Sequence, residues 1–174
     1  MYHLLDWITE RIARYLALIS GGVLLILIML TCISIIGRTF VPLGIGIGPI
    51  RGIYDISEIS MAAAVFGFLP WAQYKDSHAR VDLFQFAIPQ TMERILDILF
   101  NLAMTLVAVV GTWRLYLGMT DKYRFGETTL IAEIPVWIGY AAGMVGACGF
   151  VFVSAFCVIR SIRRLIVTEE EAPS

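Results

Sequence analysis

Histidine and cysteine are scarce in this sequence. Only His3 and His78 stand in 174 residues, neither within a long apolar run, so a haem held between facing histidines inside a membrane has no ligands. Cys32, Cys148 and Cys157 all fall inside apolar runs without CxxC spacing; they read as small core residues, not as a disulfide-exchange pair. Ligand-type residues are too sparse in those runs for a buried metal centre. Charge of one sign is lacking too: the net charge is −1, which removes nucleic acid as a default partner. Glu169, Glu170 and Glu171 make the one short acidic run, a solvated tail. The glycines at Gly44, Gly46 and Gly48 precede no Lys-Ser/Thr pair, so they form no phosphate loop. This inventory offers no catalytic, cofactor-binding or metal-binding residue.

What the chain has in quantity is apolar surface. Hydrophobic residues make up 59% of it, more than a soluble domain of this length buries, which places it among integral membrane proteins. The organising stretch runs from Arg51 to Phe84. Ile59 to Trp71 carries no charge, with Asp55 and Glu58 before it and Lys75, Asp76, His78, Arg80 and Asp82 after it. As a helix, Ile53 to Tyr74 covers roughly 33 Å, enough to cross a hydrocarbon core of about 30 Å.

Three more runs repeat that pattern, giving spans at about 15–36, 53–74, 95–117 and 134–159. Residues 1–14 place Leu4, Leu5, Ile8, Ile12 and Tyr15 on one helical face and Asp6, Thr9, Glu10, Arg11 and Arg14 on the other, which predicts an amphipathic helix on the membrane surface. Acids precede its arginines and the apolar run behind it is long, unlike a signal peptide. A second amphipathic segment, from His78 to Pro89, reads as a connector along the cytoplasmic interface. The expected fold is therefore an all-α integral membrane protein of four transmembrane helices, with an N-terminal surface helix and an amphipathic cytoplasmic connector. Residues 1–174 form one membrane domain.

Small residues mark where helices should approach. Ala17 and Gly21, then Ser57, Ser60, Ala64 and Gly67 leading to Trp71, then Gly139, Ala142, Gly143 and Gly146, all recur at helical spacing. Asn101 and Thr105 put hydrogen-bonding groups on one face of the third span, as helix-to-helix glue. Pro135 is expected in the first turn of the fourth span, where proline is tolerated, with Trp137 and Tyr140 in an aromatic belt.

Arg11, Arg14, Lys75, Arg80, Arg94, Arg160, Arg163 and Arg164 flank one side of the spans and outnumber Arg38, Arg51, Arg114, Lys122 and Arg124 on the other. The positive-inside rule then puts both termini in the cytoplasm. No span carries a mid-bilayer acid or histidine, the mark of an ion path. Glu58 near a span end needs a partner, and Arg38, closing the first span, is the expected one. Lys122, Arg124 and Glu127 form a mixed-sign surface in the third connector, suited to transient docking.

Gly37-Arg38 ending the first span, Glu58 early in the second, then Trp71 and His78-Ala79-Arg80-Val81-Asp82, resemble the small membrane subunit of TRAP (tripartite ATP-independent periplasmic) transporters. Gly126-Glu127-Thr128-Thr129 and Ile134-Pro135-Val136-Trp137 are similar to the same family, so the resemblance spans nearly the whole chain. Tyr54 departs from it, standing near where the family often has tryptophan. The resemblance implies a non-catalytic subunit of the bacterial inner membrane. Its partners would be a large multi-span subunit that moves substrate and a periplasmic substrate-binding protein. It implies sodium-driven uptake of organic acid anions such as dicarboxylates or sialic acid, with Arg38, Glu58, Trp71, His78, Arg80 and Asp82 as structural or partner-facing positions. The competing reading is a self-sufficient four-span transporter using Asp55 or Glu58 as its coupling carboxylate.

Overall fold

The computed structural model describes residues 2–40, 50–75 and 90–170. Four helices follow in order: α1 (Tyr2–Phe40), α2 (Ile53–Tyr74), α3 (Gln90–Phe125) and α4 (Trp137–Glu170). Each contains a stretch long and apolar enough to cross a membrane. The all-α, four-span architecture is as expected, and its layout is uneven. α4 packs on all three other helices and α1 also packs on α2, whereas α1 and α3 do not touch among the described residues.

The spans were legible because their apolar runs are unbroken, but three helices extend well past them. α1, α3 and α4 hold 39, 36 and 34 residues, or about 58, 54 and 51 Å. α2, with 22 residues, is about 33 Å long and alone matches the bilayer. Residues 2–14 are helical, yet no break separates them from the first span; neither glycine nor proline stands before Gly21 to make one. The amphipathic segment is thus the first part of α1. Its Thr9 and Ala13 are fully buried, while Leu5, Ile12 and Tyr15 stay exposed. Ala13 joins Tyr74, Val153, Phe156 and Cys157 in a core cluster that closes one end of the molecule, with Trp71 packed against it.

The small-residue stripes do bring helices together. A Cβ on Gly146 would stand 2.5 Å from the Phe66 carbonyl carbon, and one on Gly67 would collide with Ser20 Oγ. Ala64 and Gly67 are buried on α2. At Gly143, Phe66 of α2 and Leu115 of α3 both come within reach, so the glycine face of α4 receives both neighbours. Pro70 sits inside α2. Lacking an N–H, it leaves the Phe66 carbonyl without its donor four residues on, at the point where Gly146 passes.

Pro135 does not lie in the first helical turn, which corrects that expectation. Val136 N–H donates to the Glu127 carbonyl at 3.0 Å and Thr129 N–H to the Ile134 carbonyl at 2.9 Å. Thr128 and Pro135 form an isolated antiparallel bridge. These bonds hold Pro135 in the bridge, the chain turns at Val136, and α4 starts only at Trp137. The connector is shorter than the polar composition suggests, because α3 stays helical to Phe125 and ends at Gly126 with φ 62°, a left-handed stop that glycine adopts without steric cost.

Candidate functional site

Among the described residues, side-chain hydrogen bonds that link separate elements gather at the two ends of the bundle. At the end where α2 begins, Gly52 caps the helix with φ 75°. A Cβ there would stand 2.7 Å from Ala132 Cβ, so glycine is required for both its backbone and its space. One turn on, Asp55 Oδ2 accepts hydrogen bonds from the backbone N–H groups of Ile131 at 2.9 Å and Ala132 at 2.8 Å. One carboxylate oxygen therefore ties the α3–α4 connector to the first turn of α2. Ile134 N–H donates to Thr129 Oγ1 at 3.0 Å inside the same turn, and Glu133 takes a left-handed φ of 53° to complete it.

The expected docking residues sit beside this latch. Lys122 and Glu127 form an ion pair with each other, across the Gly126 stop, so their charges are partly satisfied within the chain. Arg124 is exposed. Tyr123 meets Trp137 edge to face, with ring centroids 5.7 Å apart, which holds the end of α3 against the start of α4.

Arg38 lies in the last turn of α1 and Glu58 in the second turn of α2. Both are exposed, and they form no ion pair with each other; the salt bridge near this end joins Lys122 to Glu127. On α2 the acid that does find an intrachain partner is Asp55, whose partners are peptide N–H groups from 76 and 77 residues away. Nothing local to Asp55 signals that contact.

At the opposite end, Gln73 Nε2 donates to Asn101 Oδ1 at 2.9 Å, and Asn101 Nδ2 donates to Ser161 Oγ at 3.0 Å. This chain joins α2, α3 and α4 and bears out Asn101 as glue. Thr105 instead donates back to the Asn101 carbonyl within its own helix. Gln73 is buried, and its Oε1 has no partner among the described residues. The Tyr74 hydroxyl donates to Asp6 of α1 at 3.2 Å, and Arg160 of α4 donates to the Tyr74 carbonyl at 3.3 Å. Arg160 also lies over the Tyr74 ring at 5.4 Å, and Lys75 over Trp71 at 5.0 Å. Cations at the C-terminal end of α2 suit its negative dipole end. Trp71 stacks on Tyr74 with centroids 6.2 Å apart, so it acts here as packing. His78, Arg80, Asp82 and the connector to Pro89 lie outside the described residues.

No cluster of three metal-ligating side chains occurs among the described residues. The outward faces of α1 and α3 are apolar: Leu25, Ile26, Met29 and Ile33 on one, Leu99, Phe100, Leu106 and Val110 on the other, are all exposed. Such surface fits lipid or another membrane chain. No curated protein and no solved structure matches the sequence. A family model described as "Tripartite ATP-independent periplasmic transporters, DctQ component" matches residues 27–166, a region holding the last third of α1, the Asp55 latch and the Gln73–Asn101–Ser161 chain. With four spans of the expected arrangement and a match over most of its length, the chain belongs to the DctQ component family, the small membrane subunits of TRAP transporters.

Proposed function

We propose that the chain is the non-catalytic small subunit of a sodium-driven, binding-protein-dependent uptake system for organic acid anions of the dicarboxylate or sialic-acid type. It sits in the bacterial inner membrane with both termini cytoplasmic. It braces a large multi-span subunit that moves the substrate, and it contributes to docking of the periplasmic binding protein through Lys122, Arg124 and Glu127. The observation that carries this reading is the family match over residues 27–166. The apolar outer faces of α1 and α3 support it, since a bracing subunit needs surface for a neighbour in the membrane.

The alternative, a self-sufficient transporter coupled through Asp55 or Glu58, has less support. Asp55 Oδ2 is held by two backbone donors, an arrangement that suits a structural acceptor better than an ion site that must empty in each cycle. Both acids also stand within the first two turns of α2, away from mid-bilayer.

Co-expression with the large subunit tests the proposal. The two should co-purify, and proteoliposomes holding both should take up an organic acid anion only with an inward sodium gradient and binding protein present. Uptake by this chain alone would favour the alternative. Reporter fusions after Ser174 and at Gly126 should report opposite sides of the membrane.

A further inference from the structure

The connector between α3 and α4 carries a turn whose two apolar side chains, Leu130 and Ile131, are exposed, Leu130 at 97%. An apolar tip in water is unfavourable, so the height of this one relative to the bilayer matters. α2 fixes that height. Its 22 residues reach only about 33 Å against about 30 Å of hydrocarbon, so its first residue, Ile53, has little room to slide from the boundary. Gly52 lies against Ala132, and Asp55 holds the N–H groups of Ile131 and Ala132. The tip is thereby locked level with the first turn of α2, at the boundary itself.

Two further features fit that level. Tyr54 and Tyr123 are exposed at the same end, and tyrosine is a ring type that settles among lipid headgroups. Several donors of the turn also have acceptors within the protein: Thr129 N–H on the Ile134 carbonyl, Ile131 and Ala132 N–H on Asp55, and Ile134 N–H on Thr129 Oγ1. Those groups need no water, which lowers the cost of leaving it. Glu127 and Glu133 are exposed on either flank, where they limit how deep the turn can sink.

We propose that Leu130 and Ile131 insert into the headgroup–acyl boundary of the leaflet at the α2 N-terminus, as a lipid anchor, and that Asp55 is the positioning residue that aims them. The anchor goes beyond the transport reading and does not depend on which substrate is carried. It fixes the rotation and tilt of the α3–α4 pair at one end of the bundle, while α1 and its extension hold the other.

The test places a reporter at the tip. Leu130→Trp is made in the full-length chain and reconstituted in phosphatidylcholine vesicles containing dibrominated phosphatidylcholine, with the unsubstituted chain as background. A ring buried about 5–10 Å into the boundary should lose about half of its added emission to lipid brominated near the headgroup. It should lose less to lipid brominated deep in the acyl chain, and little to aqueous iodide. Adding Asp55→Leu, which removes both accepted bonds at similar size, should cut the lipid quenching at least about twofold and raise iodide quenching, with helix content unchanged by circular dichroism. Ile131→Trp reads the same contact should the first variant fail to insert. Iodide quenching without lipid quenching would place the tip in water and overturn the anchor. Loss of both kinds of quenching only when the large subunit is present would assign the tip to that subunit, and overturns it equally.

Discussion

Gly146 of α4 rests on the Phe66 peptide of α2 so closely that a Cβ would stand 2.5 Å from its carbonyl carbon and 2.6 Å from its oxygen. Pro70 has freed that oxygen from the α2 ladder, and the nearest face of α4 to receive it is a bare glycine Cα, suited to a weak C–H···O contact. Gly146→Ala must push the two helices apart at the contact between backbones. The expected loss is roughly 1–3 kcal/mol in thermal unfolding of the purified protein. Gly111→Ala, where a Cβ meets nothing within 4 Å, should be neutral or stabilising by up to about 1 kcal/mol. Equal effects from the two substitutions would show that the contact contributes nothing.

The chain from Gln73 through Asn101 to Ser161 predicts a sign that simple bond counting misses. Asn101→Leu leaves the buried Gln73 amide without its acceptor as well as its Oε1 without a donor. This should cost about 1–3 kcal/mol. Adding Gln73→Leu removes both orphaned groups, and the double variant should recover part of the loss. A double-mutant cycle on unfolding measures it; strict additivity would mean that the two amides do not interact.

Asp55 should control the dynamics of a connector far from it in sequence. Charge-assisted bonds contribute about 1.5–3 kcal/mol each, so Asp55→Leu should speed amide exchange at Ile131 and Ala132 about tenfold or more. Exchange within α4 beyond Gly143 should stay unchanged. Asp55→Asn keeps an acceptor and should fall between the two.

Reversing Lys122 and Arg124 to glutamate separates stability from docking. The Lys122–Glu127 pair is exposed, and such pairs contribute about 0–1 kcal/mol, so unfolding should barely shift. Uptake by the assembled transporter should slow at limiting binding protein and recover at excess, as expected when a charged rim tunes encounter. Unchanged uptake at every concentration would place the dock elsewhere.

The spans were legible because unbroken apolar runs leave few alternatives, and the glycine stripes of α4 were legible because helix spacing puts them on one face. Asn101 showed itself as a polar group in hydrocarbon. The N-terminal segment kept its helical period but gave no sign of joining the first span, since the absence of a break is a weaker signal than the presence of one. Pro135 misled because proline before an apolar run suits a helix start and an extended bridge equally well. Glu58 drew attention as an acid near a span with Arg38 to match, yet the carboxylate of α2 that the chain holds is Asp55. Its partners are peptide N–H groups that every residue but proline carries, so no side-chain pattern could point to them.

The order of packing has a consequence for synthesis. α4 follows α1, α2 and α3 along the chain, yet it is the helix on which both α2 and α3 rest. While the chain is being made, α1 and α2 can pair at once, whereas α3 enters the membrane with little beyond the Gln73–Asn101 hydrogen bond to hold it to α2. Its stay is provisional until the glycine face of α4 arrives between it and α2. A chain interrupted before Trp137 is therefore not a smaller version of the subunit but a helical pair with a third helix loosely attached. The last described helix to be made decides whether the first three are kept.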